Sequence, residues 1–486
     1  MSAPLKTSAR VIPLQQFKAD ADAATADGDR RGFIRKALGG YGITRGGTQG
    51  GFADFEKARE LAATIKWNAI ENLEAMLLQF EANLIARGIK VHWAADGESA
   101  RQYVLKVLKE TNAKKVIKSK TMTSEEIHLN DAMQAAGYEV VESDLGEYIQ
   151  QLRGEAPYHF VFPSMHLKRG EIRETFQKEL GGIESDEPEY LTMTARRVMR
   201  QKYLQADVGI SGANFGVADS GMIAITENEG NARLSCAMPK VHIALMGIEK
   251  VVPKLSDLAL LQPMLGTAGT GQLLTCYNSL YAGGKLPAES DGPQEMHLVL
   301  LDNNRTKMLA DPHLRDAMRC IRCGACLNVC PIFKNVGGFT YGTTYQGPIG
   351  SVITPPLRGV GDFGHLAFAS SLCGACTETC PVKIDLHHHL LYIRSKAVER
   401  GRGILEKLAM KAFAFGMARP RLYRMGTRIG LTLDKLASFI RGTVFDPASA
   451  WRKTRTLPEK PAQSFTQWWQ QQESQQLSQQ QKGGKP

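Results

Sequence analysis

Two stretches fifty residues apart hold the residues best suited to chemistry. Cys320 to Pro331 reads CIRCGACLNVCP and Ser370 to Pro381 reads SSLCGACTETCP, so they share CGAC and a terminal CP. CxxCxxCxxxCP is the spacing of bacterial 4Fe-4S ligation, in which three closely spaced thiolates reach one cuboidal cluster and the fourth, before proline, reaches the other. Soft thiolate donors match iron in a sulfide cage. Glycine and alanine in CGAC keep bulk away, and the proline turns the chain off because it has no N–H to donate. Transferred to this sequence, the crossed pattern gives Cys320, Cys323, Cys326 and Cys380 to a first cluster and Cys330, Cys373 and Cys376 to a second. The expected cofactors are two iron-sulphur clusters, both read as 4Fe-4S, with 3Fe-4S as the alternative for the second. The competing reading, a zinc site built from CxxC pairs, does not need the interleaved cysteine.

The second stretch has Ser370 where the first has Cys320. Serine oxygen is a harder donor than thiolate with a much higher pKa, so it is the poorer iron ligand. Four outcomes compete for the vacant position: ligation by Ser370, a 3Fe-4S cluster, an iron open or water-bound, or a remote ligand such as Cys236, Cys276 or a histidine. Cys236 (RLSCAMP) and Cys276 (LLTCYNSL) stand in apolar settings and are expected to be buried small hydrophobes. His387 to His389 follow Cys380 closely, but successive helix positions point in different directions, so the three cannot share one ion.

The elements that must position these residues are legible in outline. At 486 residues with 43% hydrophobic and 22% charged content, the chain is expected to form two to four globular units. Clustered cysteines without a signal-length apolar core near the start, and no long uncharged apolar run, point to a reducing, cytoplasmic setting. Residues 1–53 read as an N-terminal extension in which GGYGITRGGTQGG (Gly39 to Gly51) is a flexible connector, since it lacks the GKS or GKT ending of a phosphate-binding loop. Residues 54–87 read as one or two amphipathic helices. Short apolar runs then alternate with helical stretches: KVHWAAD, KKVIKSK, YEVVESD, HFVFPS, ADVGISG, GMIAITENEG and KVHIALMGIEKVV. That alternation predicts a parallel α/β sheet over 54–300. Residues 301–400 form the cysteine module. From Gly401 to Pro486 there are 15 Lys and Arg against 5 Asp and Glu, nearly all of the net charge of +11, on amphipathic helices broken at Pro420. The glutamine-rich end is expected to be disordered.

The cysteine pair, with Ile210 to Leu234 (ISGANFGVADSGMIAITENEGNARL), SKTMTSEEIHLNDAM, and Trp468 and Trp469, resembles the lactate-utilisation iron-sulphur protein B (LutB) family over about residues 54–470. The serine in place of an eighth cysteine belongs to the pattern of that family. The resemblance implies an α/β LUD domain of the sugar-phosphate isomerase and CoA-transferase type, an alpha-helical ferredoxin module and a small C-terminal domain. It further implies work with two partner proteins in oxidising L-lactate to pyruvate, with this chain carrying electrons.

Read from the residues alone, GANFGVADSG does not match a dinucleotide-binding loop, so electrons are expected to pass through the clusters singly. A pocket for a small molecule or partner at the strand ends would involve Ser119, Lys120, Asn214, Glu227, Asn228 and Arg233. In that setting Arg233 would pair with a carboxylate, and Glu227 resembles the nucleophilic glutamate of CoA-transferases. This supports an alternative function, a LUD-domain enzyme acting directly on a small carboxylate. The basic C-terminal region suits docking to other subunits of a lactate-utilisation complex, or peripheral contact with the inner face of a membrane; nucleic acid is the weakest of its readings.

Overall fold

Short apolar runs assemble a six-stranded sheet in the computed structural model, which describes residues 12–401, 404–437, 443, 446, 449–452, 455–456 and 463–482. Its strands are β1 (Lys90–Ala94), β2 (Lys115–Lys118), β3 (Glu139–Glu142), β4 (Val208–Gly212), β7 (Val241–Gly247) and β10 (Glu295–Leu301), in the order β1-β10-β7-β4-β2-β3 and all parallel. The central β7 is buried along its whole length, as expected for a sheet covered on both faces. A smaller sheet, in the order β8-β5-β6-β9, adds β5 (Phe215–Val217), β6 (Met222–Glu227), β8 (Val251–Val252) and β9 (Tyr277–Tyr281). The expected helical pair is present as Phe55–Glu71 and Leu73–Ala86.

Residues up to Gly401 form one compact unit and the rest a second. In the first, the cysteine module is packed onto the α/β domain: one hydrophobic core runs from Ile34 and Phe80 through Met246 to Leu327, Phe333 and Leu390.

Three expectations are corrected here. The glycine-rich stretch is helical to Gln49, within Gly28–Gln49. Its glycines cost about 1 kcal/mol each relative to alanine, but Ile34 and Leu38, four residues apart, are fully buried and Tyr41 stacks on Phe162 with ring centroids 4.3 Å apart, so packing overrides propensity. HFVFPS is a loop, closed by the Tyr158 N–H on the Pro163 carbonyl at 2.9 Å, with His159 and Phe160 buried. The glutamine-rich end is helical over Phe465–Lys482. Glutamine is a good helix former, and Ser464 and Gln467 form a reciprocal cap: Ser464 Oγ accepts from the Gln467 N–H at 3.3 Å and Gln467 Oε1 accepts from the Ser464 N–H at 3.0 Å.

In the second unit Pro420 opens the helix Pro420–Ala437, which follows Ile404–Met417 after a short break. Ser449–Arg452 is a further short helix, and residues 402–403, 438–442, 444–445, 447–448, 453–454, 457–462 and 483–486 lie outside the described residues. No described helix is long and apolar enough to cross a membrane.

Candidate functional site

The two cysteine stretches fold alike. Arg322 and Leu372 both take the left-handed backbone region (φ 60° and 55°), as do Gly324 and Gly374 (φ 77° and 80°), and a short helix follows each: Ala325–Val329 and Ala375–Glu378. Cys320, Cys323, Cys326 and Cys380 line one small cavity, with Ile321, Ile349, Val382, Ile384 and Leu386 completing an apolar wall. Cys373 and Cys376 lie close enough to Cys330 to feel its charge. Helices before the α/β domain grip the second stretch. Arg59 donates to the Cys380 carbonyl at 2.8 and 3.1 Å and to the Glu378 carbonyl at 2.7 Å, and Arg45 reaches Thr379.

This donor set fits iron-sulphur chemistry better than zinc. One zinc ion holds its sulfurs at about 2.3 Å and so needs them within about 4 Å of one another, whereas no three of the described cysteine sulfurs lie within 4.8 Å of one another. Backbone N–H groups point at the sulfurs: Ala325 at Cys323, Ile349 at Cys326, Ile384 and Val382 at Cys380, Phe333 and Ile332 at Cys330. Such bonds stabilise thiolates bound to a cluster and tune its potential.

Ser370 occupies the place in its stretch that Cys320 has in the other. Ser370 Oγ accepts the Leu372 N–H at 3.1 Å, and Cys320 Sγ accepts the Arg322 N–H at 3.4 Å. Arg394 fixes the serine's backbone by donating to its carbonyl at 2.8 Å. Cys236 is buried, as expected, with its sulfur 3.3 Å from His242 Nε2. Cys276 is exposed, contrary to expectation, because the run Leu273 to Tyr277 lies on the surface. The three histidines do not share one site: His389 turns inward to Asp316 at 2.9 Å, while His387 and His388, with ring centroids 4.0 Å apart, both meet Asp385 at 3.2 and 2.7 Å.

A second cavity, of about 210 Å³, opens where β2, β4 and β6 end and reaches the cysteine module at Arg322, Cys323 and Tyr345. Five of the six residues expected in a pocket line it: Ser119, Lys120, Asn214, Glu227 and Asn228. Arg233 does not; it is exposed, with its guanidinium over the Tyr277 ring at 5.0 Å. Glu227 is raised by burial, but its two oxygens accept the Ala232 and Arg233 N–H groups at 2.7 and 2.9 Å. It therefore caps the helix Asn231–Ala237 while lining the cavity. Lys120 donates to the Val161 carbonyl at 2.8 Å; burial opposes its charge, but Asp144, Glu147 and Glu229 outweigh it and raise its pKa. Sequence reasoning missed Thr121, Lys250, Arg322 and Tyr345, none of which stands in a motif that suggests a pocket.

Behind the cavity a buried ionic network joins the α/β domain to the cysteine module. Arg305 binds Glu126 at 2.8 Å and Glu249 at 2.6 Å, Arg322 binds Glu249 at 3.0 Å, and the Tyr345 hydroxyl donates to Glu126 at 2.8 Å. Burial opposes the charge of Glu249, yet the surrounding cations hold it down at about 2.

His159 is a second link. Its Nδ1 accepts the Val161 and Phe162 N–H groups, which fixes the proton on Nε2 and directs it to Asn328 Oδ1 at 3.1 Å. Burial pushes its pKa down to about 3. An unfolded histidine titrates near 6.5. Below that pH the unfolded chain takes up a proton that the fold refuses, so stability falls as pH drops from about 6.5 toward 3, by about 1.4 kcal/mol per unit for this residue. Denaturant midpoints of cluster-loaded protein at pH 7.5 and 5.5 should therefore diverge less in His159→Gln than in the unaltered chain; equal divergence would refute this account.

A parallel α/β domain with a cysteine module joined to its strand ends defines the class, an iron-sulphur protein of the LUD type: residues 77–301 match the LUD domain and 316–384 the 4Fe-4S dicluster domain. Residues 394–474 match the C-terminal domain of lactate utilisation protein B. Lactate utilization protein B of Geobacillus kaustophilus is 42% identical over 93% of this chain and 95% of its own length. The proteins of that name from Bacillus cytotoxicus (44%, covering 86% and 88%) and Bacillus subtilis (42%, covering 85% and 88%) are similar over most of both chains. The chain belongs to the lactate utilization protein B family.

Proposed function

We propose that this chain is the electron-transfer subunit of a system oxidising L-lactate to pyruvate, passing electrons one at a time through two clusters. In this reading Cys320, Cys323, Cys326 and Cys380 hold one 4Fe-4S cluster, and Cys330, Cys373 and Cys376 hold the other, with Ser370 beside its vacant corner. Bound there, the clusters supply one-electron carriers, whereas lactate oxidation releases two electrons. The observation that carries the reading is an asymmetry of burial. In the first set Cys323, Cys326 and Cys380 are buried and Cys320 half-buried, with Cys323 on the wall of the strand-end cavity, whereas the second set, with Cys330 and Cys376 buried, reaches the surface at Cys373. That is the layout of an inner acceptor and an outer exit.

The partners are other subunits of the lactate-utilising system, and the working compartment is the cytoplasm. The second unit suits docking to such a subunit: its helix Ile404–Met417 exposes Leu405, Leu408 and Phe413, and Pro420–Ala437 exposes Arg421 and Arg424. An apolar surface framed by cations fits an acidic protein face.

Anaerobic purification followed by iron and sulfide counting, with EPR of both redox states, tests this reading. The expected content is about eight irons per chain for two cubanes, or about seven with a 3Fe-4S partner; stoichiometric zinc without iron would sink it. The subunit alone should not oxidise L-lactate with an artificial acceptor. Ser370→Cys supplies thiolate at the vacant corner, so the EPR signal of the second cluster should change while that of the first stays as it was. If neither signal moves, Ser370 is a bystander.

A further inference from the structure

We propose that the cavity at the ends of β2, β4 and β6 binds a small 2-hydroxy or 2-oxo carboxylate, with the carboxylate held by Arg322 and Lys250; this rests on the lactate-oxidation reading above and assigns its ligand a place. The volume, about 210 Å³, corresponds to about seven waters at about 30 Å³ each, enough for a three- or four-carbon acid with some solvent.

The argument for an anion starts from unmet donors. Arg322 uses Nη2 on Glu249 at 3.0 Å and lies over the Tyr345 ring at 5.1 Å, while its Nη1 and Nε are buried with no hydrogen-bond partner. Leaving such donors unsatisfied is costly, most of all for a charged group, and a carboxylate accepts from a guanidinium in two parallel bonds. Lys250 lies in the same wall and donates to the Ala213 carbonyl at 2.8 Å. Burial, with the charge of Arg322 adding to it against the pull of Glu249, lowers the Lys250 ammonium to about 8. An anion between the two cations would relieve both.

The rest of the wall suits the remainder of such a molecule. Thr121 is buried and its hydroxyl has no partner, so it is available to a ligand hydroxyl or carbonyl. Met122, Ile225 and Leu265 offer an apolar side to a short alkyl group. Cys323, a cysteine of the first set, lines the same cavity, so a bound ligand should alter the surroundings of that cluster.

The test is calorimetric titration of anaerobically purified, cluster-loaded chain with L-lactate, pyruvate and the uncharged lactamide, with EPR of the reduced protein in parallel. At least one anion should bind ten-fold or more tighter than lactamide and shift the signal of the first cluster only. Lys250→Met and Thr121→Val should each weaken binding several-fold at unchanged iron content, which separates them from Arg322→Lys, placed between two cysteines of the set. The proposal is overturned if neither anion binds, if lactamide binds as well as lactate, or if Lys250→Met has no effect. Protein holding about eight irons without anion binding would sink this inference alone, whereas iron-free protein would sink the relay.

Discussion

Replacing Arg305 with leucine should lower the unfolding free energy of the cluster-loaded chain by about 3–5 kcal/mol, the usual consequence of removing one partner from a buried ionic network. Glu126 and Glu249 lie within the fold against that guanidinium, at 2.8 and 2.6 Å, Glu249 also meeting Arg322 at 3.0 Å, and both are held below the ordinary carboxylate range despite their burial. Without Arg305 two carboxylates stay buried with too little positive charge. Adding Glu126→Gln to Arg305→Leu removes one of them, so the double variant should lose less than the sum of the singles. Urea or guanidinium titration followed by far-UV circular dichroism checks both statements. A loss below about 1 kcal/mol would place the network among ionic pairs of little net value.

Cys380→Ala should remove the first cluster and leave the second, lowering iron from about eight to about four per chain. Cys330→Ala should do the reverse. The pair separates crossed ligation from a sequential scheme in which Cys320, Cys323, Cys326 and Cys330 serve one cluster, because the sequential scheme would make Cys330→Ala remove the first signal and Cys380→Ala spare it. The crossed outcome follows from the cavity that Cys380 shares with Cys320, Cys323 and Cys326. EPR of the reduced variants distinguishes the two.

What could be read from the sequence was whatever a local pattern encodes. The CxxC spacings and CP endings singled out the cysteine module, and the alternation around KVHIALMG and KKVIKSK pointed to the parallel sheet, because each is set by neighbours within a few residues. Ser119, Lys120, Asn214, Glu227 and Asn228 were legible as strand-end residues for the same reason. Arg322 and Lys250 were not. Their role depends on Glu249, Ala213 and a cavity assembled from segments over two hundred residues apart. Glycine content misled at Gly39 to Gly51, where a few buried side chains across the interface decide the conformation. Composition misled again at Cys276, whose apolar neighbours lie outside.

Under the crossed ligation proposed above, the shared cavity of Cys320, Cys323, Cys326 and Cys380 would also set an order of maturation. In that scheme the first stretch supplies its cluster with Cys320, Cys323 and Cys326, and the fourth thiol arrives only once Cys380 is folded against them. Closing that loop carries an entropic cost met by the core it joins. Insertion of the first cluster would then be a late event, made on a module already gripped by Arg59 and Arg45, and a chain truncated before Cys380 would lack the fourth thiol of that cluster.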